Sequence, residues 1–116
     1  MTPRELARRL GAEVVERRGG ITPYRYVVSE LETRRRRIVI YRDTIELLAR
    51  LVRERSLPFE CERLDDIAIL HECAHLRHPR AREEGAHRYA QRLLRLSASP
   101  QILSDALAAF AAGADR

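Results

Sequence analysis

A proline between two helical stretches does most to restrict the folds open to this chain. Leu64, Ile67, Ala68, Leu70 and Ala74 recur at helical spacing within residues 62–77, and Ala86, Tyr89, Ala90, Leu93 and Leu94 do so within 80–96. Pro79 cannot extend the first helix, because it has no N–H to donate and its ring collides with the preceding turn. Two helices therefore meet at a very short connection, and helices joined in this way pack as antiparallel neighbours. His75, four residues before the turn, then lies beside Glu83, four residues after it.

The first of these helices carries His71-Glu72-Cys73-Ala74-His75. Residues four apart lie one turn along the same helix face, so both imidazoles can reach one cation. Glu72 is offset by about 100° and can address a water on that cation. This is the H-E-x-x-H zinc-peptidase pattern. A catalytic zinc takes three protein ligands and keeps a position open, and two histidines with one glutamate form an established set. Glu83 is the first candidate to complete it, with Glu84, His78 and His87 as alternatives. His87 follows Glu83 at i+4, on the same face, where it can orient a ligand by hydrogen bonding. The expected reaction is peptide-bond hydrolysis by a zinc-activated water, with Glu72 as general base and later proton donor to the leaving amine. His87, Tyr89 or a nearby arginine is the candidate donor to the oxyanion.

The stretch Ile69-Leu70-His71-Glu72-Cys73-Ala74-His75-Leu76-Arg77-His78-Pro79, followed by Glu83-Glu84-Gly85-Ala86-His87-Arg88-Tyr89-Ala90-Gln91-Arg92-Leu93-Leu94, resembles the ImmA/IrrE-like metallopeptidases. Those carry H-E-x-G-H-x-x-x-H and then E-x-x-A-N/D-x-F-A-x-x-L-L. The resemblance implies a gluzincin-like site in which His71, His75 and Glu83 bind Zn2+ and Glu72 is the catalytic base. It also implies a minimal zincin-like domain and a specific protein regulator, such as a repressor, as substrate. Ala74 replaces the family's usual glycine, and His87 stands where asparagine or aspartate is common. The connection between the motifs is shorter than the family norm, and Arg95-Leu96 continues where a proline often follows.

The alternative function is a catalytically weak or inactive zincin-fold module that binds metal and regulates or docks a protein. Small size and the shortened connection favour it. Glu72 favours the enzyme, because a purely structural zinc needs no carboxylate beside its first ligand.

With 116 residues the chain reads as one domain, 1–116, too short for a second lobe that closes over a substrate, so an open, shallow cleft is expected. Hydrophobic residues at 45% and charged residues at 34% describe a globular protein, with no apolar run of the roughly 20 residues a membrane span needs. Met1-Thr2-Pro3-Arg4-Glu5 reads as a helix start with a Thr2/Glu5 capping box rather than a signal peptide, and a cytoplasmic protein is expected. Two cysteines make no disulfide framework; Cys73 is expected in the core and Cys61 as a free thiol.

All 22 basic residues are arginine, and asparagine and tryptophan are absent, a pattern of coding bias that weakens the net charge of +5 as a sign of nucleic-acid binding. Arg34-Arg35-Arg36-Arg37 lacks aromatic interleaving and reads as a solvated hairpin. The expected partner is a protein or peptide substrate, not nucleic acid or membrane, and the sequence carries no signal for oligomeric state.

The fold class is α+β. A helix over 2–10 ends at Gly11, a strand runs over 13–17, and Gly19-Gly20 makes a turn. Strands at 24–29 and 36–42, joined through 29–35, give a small antiparallel sheet of about three strands. Asp43 or Thr44 caps a helix to Arg55 that Ser56-Leu57-Pro58 breaks, and Ser99-Pro100 starts a last helix running to Gly113. The strand at 36–42 is the candidate exposed edge for an extended peptide.

Overall fold

Ile38, Val39 and Ile40 form an apolar run without polar alternation, the pattern of a strand covered on both faces, and all three are fully buried. They lie in β3 (Arg37–Tyr41), the middle strand of a three-stranded sheet, between β1 (Glu13–Arg17) and β2 (Ser29–Glu32). The structure, a computed structural model, describes residues 1–113, and residues 114–116 of the expected domain lie outside the described residues. The helices are α1 (Pro3–Arg9), α2 (Arg42–Glu54), α3 (Leu64–Arg77), α4 (Glu83–Leu94) and α5 (Gln101–Ala111). This is the α+β layout expected, with the Thr2/Glu5 capping box at the start of α1. Among the described residues no helix is long and apolar enough to cross a membrane.

The sheet departs from expectation in three ways. It is mixed, not antiparallel: β2 runs antiparallel to β3, with Ser29 opposite Ile40, but β1 runs parallel to it, with Glu13 opposite Arg37. The parallel pair forms because β2, which runs the opposite way, takes the far side of β3 instead of lying between β1 and β3. The candidate edge at 36–42 is consequently the central strand, and β2 is an edge. β2 also begins later than the strand expected at 24–29. Residues 20–28 close on themselves: Ile21 bridges to Tyr26, Val27 N–H donates to the Gly20 carbonyl (2.8 Å), and Thr22 Oγ1 accepts from the Arg25 N–H (3.1 Å).

The connection expected over 29–35 shrinks to one 3₁₀ turn, Thr33–Arg35, followed by Arg36 in the left-handed region at φ 47°. That geometry sends the Arg36 guanidinium to the carbonyls of Leu10 and Gly11 at the end of α1, so one member of the arginine run caps a helix.

Strand alternation sorts the side chains. Val14, Ile38, Leu31, Ile40 and Ser29 share one face, while Glu13, Arg37, Glu32, Val39 and Glu30 share the other. The second face carries ion pairs, Arg17–Glu32 at 3.1 Å and Arg37–Glu32 at 3.6 Å, with the Tyr41 hydroxyl donating to Glu30. The first face meets the core, built from Ile38 and Ile40, from Ile45, Leu48, Leu51 and Val52 of α2, from Leu64, Ile67 and Cys73 of α3, and from Leu103 and Leu107 of α5. Cys73 is fully buried, as expected, and Cys61 is a half-buried free thiol.

Asp43 does not cap α2; the cap position is Tyr41, without a side-chain bond. Its carboxylate instead accepts the N–H groups of Gly19 (3.1 Å), Gly20 (3.1 Å) and Ile21 (3.2 Å), and so pins the 20–28 loop against the start of α2. Gly20 has to be glycine here, because a Cβ would collide with Thr44 Oγ1, the Val27 carbonyl and Tyr41 Cβ.

Candidate metal centre

α3 ends at Arg77, two residues before Pro79, and α4 begins at Glu83. The Arg63 guanidinium at the start of α3 donates to the Leu94 carbonyl at the end of α4 (2.9 Å), so the helices are antiparallel neighbours as the short connection requires. The fold-back delivers Glu83 to the histidines. Its Oε2 lies 2.9 Å from His71 Nε2 and its Oε1 2.9 Å from His75 Nε2, one carboxylate spanning both imidazoles. The His71 ring is edge-on to the His75 ring at 5.0 Å between centroids.

Glu72 is buried, at 6% exposure. Its Oε2 accepts a hydrogen bond from Ser29 Oγ at 2.7 Å. Ser29 is the first residue of edge strand β2 and stands on the sheet face turned to the core, which is why it reaches α3. Burial pushes the Glu72 carboxyl above the ordinary carboxylate value, against the opposing pull of the Ser29 bond. Burial likewise holds His71 and His87 below the usual imidazole value, favouring the neutral rings that metals need. Glu83 sits below its ordinary value although burial pushes it up, because His71 and His75 both stabilise its anion.

His87 is 7% exposed and its ring lies 4.8 Å from that of His71. No hydrogen bond joins the two among the described residues, and His87 Nδ1 is buried without a partner. Ligand atoms of His71, Glu83 and His87 all lie within 4.8 Å of one another, and this group could hold a metal ion. Imidazole nitrogens and a carboxylate suit a borderline divalent cation, and His87 Nδ1 has no partner among the described residues.

His75, although it reaches Glu83, and the remaining candidates fall outside this cluster. Glu84 is exposed and pairs with Arg88 at 3.2 Å, and His78 is exposed beyond the end of α3. Tyr89 packs against the core, its hydroxyl buried without a partner, and is not among the residues lining the cavity beside the cluster.

That cavity measures about 420 Å³. His71, Glu72, Glu83 and His87 line it together with Val27 and Ser29, Leu64 and Ile67 of α3, and Leu103 and Leu107 of α5. Ser29 and the α5 wall carry no motif. The one signal for Ser29 is its alternation with Leu31, legible only once the strand is placed at 29–32. No family model, no curated protein and no solved structure matches the chain.

Proposed function

We propose that the chain is a cytoplasmic zinc-dependent metallopeptidase of the ImmA/IrrE-like kind that cleaves a specific protein regulator. One observation carries the reading: the Glu83 carboxylate spans His71 and His75 at 2.9 Å each while Glu72, the residue after His71, is buried and lines a largely apolar cavity. His71, His75 and Glu83 would hold the cation. When bound, zinc polarises a carbonyl and lowers the pKa of water towards about 7.

Glu72 then takes the proton from the attacking water and returns it to the leaving amine. Burial raises the Glu72 pKa, which strengthens the carboxylate as the base that takes the proton from water. Ser29 fixes the carboxylate's orientation. Edge strand β2 gives an extended peptide a ladder to join beside Glu72, and the cavity accepts apolar side chains flanking the scissile bond.

A second reading, a metal-binding interaction module without efficient hydrolysis, is favoured by the buried imidazole of His87, which clusters with His71 and Glu83. Peptide-library cleavage by zinc-loaded protein, with Glu72→Gln as control, separates the two. The enzyme reading expects cleavage by the wild type and a loss of about 10²–10⁴-fold in the variant with zinc retained. Equal inactivity of both zinc-loaded proteins would replace it with the module.

A further inference from the structure

His87 invites a stronger role than that of a neighbour. An imidazole that orients His71 has to hydrogen-bond to it, and an imidazole that merely fills core space has to satisfy its own nitrogens. His87 does neither: its ring is tilted by 50° to that of His71, no hydrogen bond links them among the described residues, and Nδ1 is buried with no partner. Leaving a buried polar nitrogen unpaired is destabilising. A cation shared with His71 and Glu83, whose ligand atoms lie within 4.8 Å of a His87 ring nitrogen, would give that imidazole a partner. Helix geometry supports the placement, because Glu83 and His87 are separated by one turn of α4 and face the same side.

We propose that His87 is a direct metal ligand, so that four protein groups, His71, His75, Glu83 and His87, can engage the cation. The proposal rests on the metal site of the preceding section and adds its regulation. A site filled by four protein ligands is closed in the manner of a structural zinc site, and a hydrolytic site has to keep one position open. Such a site would be closed only while His87 is bound, and His87 is the group that water would displace during turnover. It is the candidate to move because it is the member of the cluster outside the H-E-x-x-H helix and its glutamate partner, and because no hydrogen bond among the described residues holds its Nδ1 in place.

The test uses the metals alone on the full chain. Zinc affinity is measured by competition with a chromophoric chelator, and the visible d–d spectrum is recorded with Co2+, for wild type, His87→Leu, His87→Asn and His75→Ala. Circular dichroism checks folding of each. Loss of an outer group costs about 10–100-fold in affinity, so loss of a ligand is expected to cost about 100-fold or more. The cobalt spectrum is expected to change in both His87 variants as solvent replaces the imidazole.

The metal-free His87→Leu protein should also be at least as stable as metal-free wild type, since the substitution removes the orphaned nitrogen; His87→Asn keeps the metal test alive if leucine does not fold. Unchanged affinity and an unchanged cobalt spectrum in both His87 variants, with affinity lost in His75→Ala, would overturn the proposal and leave the peptidase reading standing. No metal bound by the wild type would overturn both.

Discussion

Replacing Asp43 by alanine tests whether the loop that carries Ser29 to Glu72 is held by one carboxylate. Asp43 accepts three backbone N–H groups, from Gly19, Gly20 and Ile21, at 3.1–3.2 Å. Hydrogen bonds to charged groups contribute about 1.5–3 kcal/mol each, but water can replace the carboxylate wherever the N–H is exposed. Gly19 and Ile21 are exposed and Gly20 is buried, so one bond of the three is lost without replacement. The expected cost is about 2 kcal/mol, which for a chain of this size lowers Tm by roughly 6–12 °C. Asp43→Asn keeps one acceptor oxygen and should lose less.

The sign of the pH dependence follows from the folded carboxyl. Burial pushes it up, yet the bonds from Gly20, Ile21 and Gly19 outweigh that and hold it below its ordinary value. The advantage of wild type over Asp43→Asn is then complete above the unfolded pKa of about 3.9 and is lost as pH falls through the folded value. Urea melts at pH 7 and near pH 3 measure it. A difference from Asp43→Ala below about 0.5 kcal/mol at pH 7, or an advantage over Asp43→Asn undiminished near pH 3, would refute the reasoning.

Gly20→Ala should destabilise by about 3 kcal/mol or more, because its Cβ meets the Val27 backbone as well as Thr44 and Tyr41; a chemical melt matching wild type would show the loop free to shift. Burial pushes the Cys73 thiol up to about 11, so a thiol reagent at neutral pH should modify Cys61 first and Cys73 only at the rate of unfolding. Two equally fast thiols would contradict this. Ser29→Ala should lower peptide hydrolysis while leaving zinc affinity unchanged, since Ser29 touches Glu72 and no candidate ligand; a parallel loss of zinc would mean that β2 shapes the metal cluster itself.

The helices and the metal cluster were legible because their signals are local. Pro79 fixes where α3 must stop, and four-residue spacings put His71 and His75 on one face and bring Glu83 back to them. The sheet was less legible because strand neighbours are chosen by long-range packing. Nothing within 13–17 distinguishes a strand that runs parallel to 37–41 from one that runs antiparallel. Tyr24 to Val28 has stronger strand propensity than Ser29-Glu30-Leu31-Glu32, but Pro23 and the Gly20–Val27 bond tie the first segment into a loop. The second becomes a strand because Glu30 and Glu32 find Tyr41 and arginine partners on the outer face. Asp43 looked like a helix cap because the local pattern is that of a cap, and its three actual donors lie more than twenty residues earlier in the chain.

Metal content of the purified chain by native mass spectrometry, for wild type beside His71→Ala and Glu83→Ala, addresses the central claim most directly. His71 and Glu83 belong to both ligand sets discussed, so the outcome does not depend on the role of His87. The account predicts one zinc per chain in the wild type and its loss in both variants. A folded wild type that takes up no zinc when supplied with it, or variants that retain it, would contradict the account.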